Sequence, residues 1–593
     1  MSAPYTDEKY PLPLAEVEAP EENEQPQPQP QSRPKHTSRL RLIILAGVLI
    51  YFVVGFGGHA LKLATEDYGH HHGHGHGKES QAKCPSQPKA LGKGDGWNVP
   101  DNYTDLVIGR LSRSVRVPAV SYDDMGPIGE DKRWDDHYKF AQFLQAEYPR
   151  VYDTLTHTHV NTHAHLYTWT GTNPSLQPIV LMAHEDVVPV NPGTLGQWTH
   201  PPFEGVVDDE WVWGRGAADC KNQLMGIMSA LDKLIEEGFQ PERTILISFG
   251  FDEEIGGKRG ANYLSRAIQE KYGKHSIAFL VDEGFGGVDV AYGKTFASLG
   301  MAEKGNVDLV VSIETAGGHS SVPPEHTGIG LLAQAINKLE SHPFPTALTS
   351  ASPYLKYLTC LADYAPDLPK DLRKSIKTPS KWKKLAAGLS KDPQQRAFLG
   401  TTQAVDLIKG GVKVNALPEE AEATVNYRID FTSSVAETKA KVTETLLSVA
   451  HKYDLEFVAF NQTQKACKHR KSKGPYRGKM RLEVGNENPA GLEPAPITPS
   501  DGESFQLMGA TIKKIFGDDV VVAPSALFAV STDTRAYWNV TQNLYRFAPA
   551  AIADFKNPHT VDERMSIRGH LSTIKFFYQL LQNTQGWRQG QEE

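Results

Sequence analysis

The sequence predicts an α/β protein built on a twisted, mostly parallel sheet with helices on both faces. Apolar runs of strand length stand at 179–183, 244–251 and 277–281. Helical patterns at 224–234 and 261–270 fall between them, and strands alternating with helices are the mark of such a sheet. The composition, 39% hydrophobic and 22% charged, suits a globular protein with a sizeable core. At 593 residues the chain is several times the ~150-residue domain norm, so more than one domain is expected. With 62 basic against 70 acidic residues the net charge is −8. A nucleic-acid binder normally carries a basic footprint, so no nucleic-acid partner is expected.

From the N-terminus, residues 1–41 are polar and rich in Pro and Gln, and predict a disordered cytosolic tail. Residues 42–61 are uncharged and largely apolar, close to the ~20 needed to cross a bilayer as a helix. Arg33, Lys35, Arg39 and Arg41 precede this run, and Lys62 alone follows it closely. That asymmetry predicts a transmembrane signal anchor of a single-pass type II membrane protein, with the catalytic part lumenal. A cleaved signal peptide is the rival reading, and the long polar lead argues against it. Residues 62–100 predict a flexible lumenal stalk, in which His70, His71, His72, His74 and His76 have no framework to fix a metal's geometry. A lumenal location opens the sequons at Asn102, Asn461 and Asn539 to glycosylation.

Ligand sites in open α/β sheets lie beyond the carboxyl ends of the strands, so the residues after each apolar run matter most. The first run is followed by His184, Glu185 and Asp186, the second by Asp252, Glu253 and Glu254, and the third by Asp282 and Glu283. Asp219 follows a Gly-rich turn and precedes a helix. One such acid is readily explained as a helix cap. Acids and a histidine converging at one sheet edge repel unless a cation holds them, and one divalent ion or two is the simple solution.

The segments MAHEDVVPV (182–190), GRGAADCKN (214–222), FDEEIGG (251–257), VDEG (281–284), GGHSSVPPEHT (317–327) and PHTVDER (558–564) resemble the zinc carboxypeptidase/aminoacylase family of two-metal metallopeptidases, in the family's order. STDTRAYWNVTQNLYRF (531–547) narrows the resemblance to the branch of vacuolar carboxypeptidase S and the secreted N-acyl-amino-acid hydrolases. The resemblance implies two Zn²⁺ ions, with Co²⁺ or Mn²⁺ as substitutes that such donors accept. It makes Asp219 the carboxylate bridging both. His184 and the acid of the VDEG segment, Glu283 or its neighbour Asp282, hold one ion; Glu254 and His559 hold the other. Glu253 is implied as general base, Asp186 as the partner that orients His184, and His319 as the group polarising the oxyanion. Arg428 and Asn415 are the candidates for gripping the substrate carboxylate. A cis peptide is implied after Asp219.

The resemblance also implies an inserted α+β lid or dimerisation domain at 305–486, which splits the catalytic domain into parts at 101–304 and 487–593. A homodimer through the lid, short peptide substrates and a vacuolar membrane location follow from it too. Within the lid, 352–400 reads as a helical excursion and the basic run 465–481 as a solvated loop. Cys360 and Cys467 are candidates for a bridge whose proximity spacing cannot judge. Cys220 is read as a packed small side chain. His157, His159, His163 and His165 lie in alternating polarity, read as a structural strand pair. The expected activity is release of the C-terminal residue from short peptides, with glycine in the penultimate position. The alternatives are an N-acyl-amino-acid amidohydrolase using the same two metals, and an inactive metal-binding scaffold.

Overall fold

In the computed structural model, residues 83–91, 97, 99–284, 287–465, 474–485, 490–527 and 531–588 are described. A nine-stranded sheet carries the predicted site. Its spatial order is Thr156–Val160, Ala164–Trp169, Ile245–Gly250, Ile179–His184, Phe279–Asp282, Leu544–Arg546, Lys294–Glu303 and Val521–Leu527, with Val288–Ala291 folded back on Lys294–Glu303. All three apolar runs are central strands.

Their burial explains why they read as continuous runs rather than alternating ones. Ile179, Leu181 and Ala183 enter one core, with Ile245, Ile247, Phe249, Phe279 and Val281. Val180 and Met182 enter the opposite core, with Leu246 and Leu280. Helices Lys221–Glu236 and Ile567–Asn583 cover the first face, and Ala261–Tyr272 the second. A strand covered on both faces has no polar side to show.

The sheet is mixed, which corrects the expectation of a mostly parallel one. Ile179–His184 is parallel to both neighbours, as are Leu544–Arg546 to Phe279–Asp282 and Val521–Leu527 to Lys294–Glu303. The hairpin Thr156–Trp169, its pairing with Ile245–Gly250, and two pairings of Lys294–Glu303 are antiparallel. Strand direction follows from the connection, and a tight turn such as 161–163 permits only the antiparallel one. Hydropathy does not record it.

A second sheet of six strands runs in the order Thr402–Gly410, Glu420–Ile429, Gly305–Thr315, Gly478–Val484, Leu455–Ala459 and Gln462–Thr463. Ala421, Ala423, Val425, Tyr427 and Ile429 face a core shared with helices Gly328–Glu340 and Val435–Tyr453. Arg428 therefore lies on the opposite face. The basic run is not loop throughout: Lys479 and Arg481 belong to Gly478–Val484, where Met480 and Leu482 are buried and Arg481 pairs with Glu314. Alternation hides a strand inside a charge run.

The 352–400 stretch is helical as expected, but its core includes Phe296, Val521 and Ala523 of the nine-stranded sheet. Cys360 there is bonded to Cys84, with Cα atoms 4.6 Å apart, rather than to Cys467, which lies outside the described residues. The last part of the expected stalk is accordingly fastened to the fold. The Gln87 amide donates to the Val522 carbonyl at 2.9 Å and accepts its N–H at 2.8 Å, capping an edge strand. The expected type II membrane location is also corrected. Among the described residues no helix is long and apolar enough to cross a membrane, and the segment 42–61 lies outside them.

Candidate active site

The carboxyl ends of the central parallel strands bring His184, the turn after Gly250 and the pair Asp282–Glu283 to one sheet edge. His184 ends its strand fully buried. Its Nδ1 donates to the Asp186 backbone carbonyl at 3.0 Å, with the Asp186 carboxylate at 3.3 Å. That carboxylate accepts the N–H groups of Glu253 and Glu254 at 3.1 and 3.2 Å. One buried acid thus sets both the imidazole and the acidic turn.

Asp219 arrives on the Gly-rich turn and opens the helix Lys221–Glu236 through a cis Asp219–Cys220 peptide. The buried carboxylate of Glu563 shapes that turn, accepting the N–H groups of Gly216, Ala218 and Asp219 at 3.0–3.1 Å while pairing with Arg215. Gly214 and Gly216 sit at positive φ, which the turn requires.

The two oxygens of Asp219 face different histidines. Oδ1 lies 3.4 Å from His184 Nε2, and Oδ2 lies 3.1 Å from His559 Nε2. Glu283 Oε1 is also 3.4 Å from His184 Nε2, and Glu254 Oε1 is 3.2 Å from His559 Nε2. Among the described residues, Asp282 brings no carboxylate oxygen within ion-pair distance of His184. Its Oδ2 is buried without a hydrogen bond, and burial pushes its carboxyl up to about 6.

Two divalent ions fit this donor set. His184 Nε2 and Glu254 Oε1 are buried yet make no hydrogen bond, so they converge on shared space without pairing off. Donors at ~2.0–2.2 Å around a tetrahedral ion stand about 3.3–3.5 Å apart, close to the separations here. The charges gathered here act strongly on one another. Burial, then Asp219, pushes Glu283 up to about 8. Burial also raises Glu254, while the adjoining carboxylates of Asp219 and Glu254 lift His559 to about 10. Burial alone depresses His184, yet Glu283 and the other neighbours leave it well above the ordinary imidazole range. Cys220 Sγ lies near His184 and Glu283 as well. Burial, then Glu283, holds its thiol well above the usual range, and it packs as a small side chain in the core.

Glu253 makes none of these convergent contacts. Its carboxylate faces Arg535 at 3.5 Å, and Arg535 also donates to the Glu253 carbonyl at 3.2 Å. Asp533 stands 3.8 Å from the same guanidinium. A Cβ at Gly250 or Gly257 would collide with the Asp533 carboxylate, so two glycines make room for this pair. Glu563, Asp533 and Arg535 were missed as individual residues. They lie inside PHTVDER and STDTR, but only folding shows what they touch.

Among the described residues, no hydrogen bond or ion pair joins His319, Asn415 or Arg428 to the cluster. His319 is exposed on the short strand Gly318–His319, paired with Ala416–Leu417, and its Nδ1 bonds Ser321 Oγ at 2.7 Å. Asn415 adjoins it, its carbonyl accepting from the Ser320 N–H at 3.3 Å. Arg428 stands on Glu420–Ile429 of the six-stranded sheet.

Comparison with known proteins shows the family. Residues 180–583 match the model of peptidase family M20/M25/M40. Carboxypeptidase S of Saccharomyces cerevisiae is 38% identical over 497 residues, covering 81% of this chain and 84% of that protein. An N-fatty-acyl-amino acid synthase/hydrolase of Homo sapiens is 32% identical over 483 residues, covering 80% and 86%. An M20 family metallo-carboxypeptidase from Sulfolobus solfataricus shares the fold, with a TM-score of 0.55 at 16% identity over 81% of this chain and 99% of that one. The chain belongs to peptidase family M20/M25/M40, as a metallocarboxypeptidase close to carboxypeptidase S.

Proposed function

We propose that the chain releases the C-terminal residue from short peptides with glycine in the penultimate position, using two zinc ions. The observation that carries this reading is the divided carboxylate of Asp219, one oxygen toward His184 and the other toward His559. His184, Asp219 and Glu283 would hold one ion, and Asp219, Glu254 and His559 the other. Bound there, such a pair lowers the pKa of water and polarises the scissile carbonyl.

Glu253 moves the proton. Burial raises its carboxyl well above the usual range, and Arg535 partly opposes this. A carboxylate shifted toward neutral is suited to accept a proton from the attacking water and return it to the leaving amine. Asp186 keeps His184 in one orientation. His319 and Asn415, at the two-stranded pairing of Gly318–His319 with Ala416–Leu417, and Arg428 on the six-stranded sheet are assigned to the substrate, His319 at the oxyanion and the other two at the terminal carboxylate, in a homodimer formed through that part of the chain. Asp186→Ala is expected to weaken metal retention 10–100-fold, as loss of an orienting partner typically does, measured by titration with a chelator.

The glycine preference rests on the resemblance to carboxypeptidase S. A second reading, hydrolysis of N-acyl amino acids, is favoured by the human relative at 32% identity. The two are separated by kcat/KM for Gly-Leu-type peptides against N-acyl-leucines. Higher values on the peptides are expected, and higher values on the acyl substrates overturn the peptide assignment.

A further inference from the structure

The hairpin at the edge of the nine-stranded sheet carries histidines that the proposed chemistry does not use. Thr156–Val160 pairs antiparallel with Ala164–Trp169, in a register that sets His159 opposite His165 and His157 opposite Tyr167. Residues two apart on one strand, and residues directly opposite across a pair, share a face. The pleat therefore gathers His157, His159 and His165 on one side. Their ring centroids are 4.6–5.1 Å apart, and one ring nitrogen from each lies within 4.8 Å of the other two. His157 Nε2 and His165 Nδ1 are 2.9 Å apart.

We propose that His157, His159 and His165 form a third metal site, for a borderline-soft divalent ion such as Zn²⁺, separate from the catalytic pair. The three rings are graded in burial. His165 is fully buried, His157 is half-buried and His159 is exposed, so the group opens to solvent on one side. Three imidazoles with an open fourth position are a donor set that zinc accepts. Closing from the present separations onto an ion at ~2.0–2.1 Å needs only small side-chain rotations on an edge strand.

A second observation points the same way. The Nε2 of His165 is buried without a hydrogen bond, and it faces Glu185 Oε2, likewise unbonded, at 3.4 Å. Glu185 is itself held by His137 at 2.7 Å. A carboxylate behind one imidazole nitrogen fixes the ring and raises the basicity of the other nitrogen, an arrangement that recurs behind metal-bound histidines. His165 thus presents Nδ1 toward its two neighbours. Two of the rings are also in the form an ion needs. Burial, then the neighbouring imidazoles, depresses His157 to about 3, and burial lowers His159 likewise, so both are neutral at pH 7.

The test uses the full chain loaded with its catalytic ions, then equilibrated with excess Zn²⁺, desalted and analysed for metal content. It is run beside the doubly substituted protein His157→Gln, His159→Gln. The expected result is one zinc equivalent fewer in the variant, with peptide hydrolysis unchanged. Because the two proteins are compared directly, ions taken up loosely by the His70–His76 tract cancel. Equal metal content in the two proteins overturns the proposal. A Co²⁺-loaded sample gives an independent readout: the visible absorption of a tetrahedral third ion is expected in the wild type and absent from His159→Gln alone. Identical spectra overturn the proposal too, whatever the folding of the double variant.

Discussion

Glu253→Gln is expected to reduce kcat by about 10²–10⁴, the usual span for loss of a positioned general base, while both metal equivalents stay bound. The expectation rests on the division of labour at the acidic turn. Glu254 Oε1 faces His559, whereas the Glu253 carboxylate faces Arg535. Glutamine keeps the length and polarity of the side chain, so Arg535 still meets an acceptor and the backbone bonds from Asp186 to the turn are untouched. Only the proton-accepting ability is removed. Metal analysis beside steady-state kinetics decides the matter. A variant that loses one ion together with its activity assigns Glu253 to the ligand set instead.

Asp219→Ala is expected to lose both ions and all measurable turnover. Asp219 is the residue whose oxygens reach both histidines, so its removal opens each half of the cluster at once. What is left is His184 with Glu283 on one side and His559 with Glu254 on the other, two protein donors each, fewer than the three that zinc sites use. Thermal unfolding supplies a second readout. A ligand that binds only the folded state at 100 times its Kd stabilises by about 2.7 kcal/mol. In the His157→Gln, His159→Gln background, added Zn²⁺ at that excess is therefore expected to raise the Tm of the protein with Asp219 and leave the Asp219→Ala variant close to the metal-free protein. With His157→Gln and His159→Gln also in place, so that the hairpin histidines hold no ion, one ion retained per Asp219→Ala chain contradicts the bridging role.

The resemblance points to Glu253 and Asp219 for the proposed base and bridge because motif order survives in the linear chain. Each apolar run ends where a strand must end, and in an open α/β sheet that end is where ligands collect. Strand direction was less legible. The hairpin Thr156–Trp169 and the returns of Lys294–Glu303 made the sheet mixed, and only the geometry of each connection determines that. The choice between Asp282 and Glu283 was likewise open. Adjacent residues on an extended chain point to opposite sides, and it is Glu283, just past the end of Phe279–Asp282, whose carboxylate reaches His184.

By itself the sequence determined the α/β class, the central strands, the helical stretch at 352–400 and the candidates His184, Asp219, Glu254 and His559, with Asp282 and Glu283 left as alternatives, because hydropathy period and motif spacing are local properties. The tertiary structure alone decided that Cys84 bonds Cys360, that Glu563 shapes the turn bearing Asp219, and that Arg535 and Asp533 stand beside Glu253. It also gathered His157, His159 and His165 on one face. Those partners come from segments up to several hundred residues apart. Burial creates their proximity by excluding water, and no local pattern of side chains encodes which distant group will be waiting there.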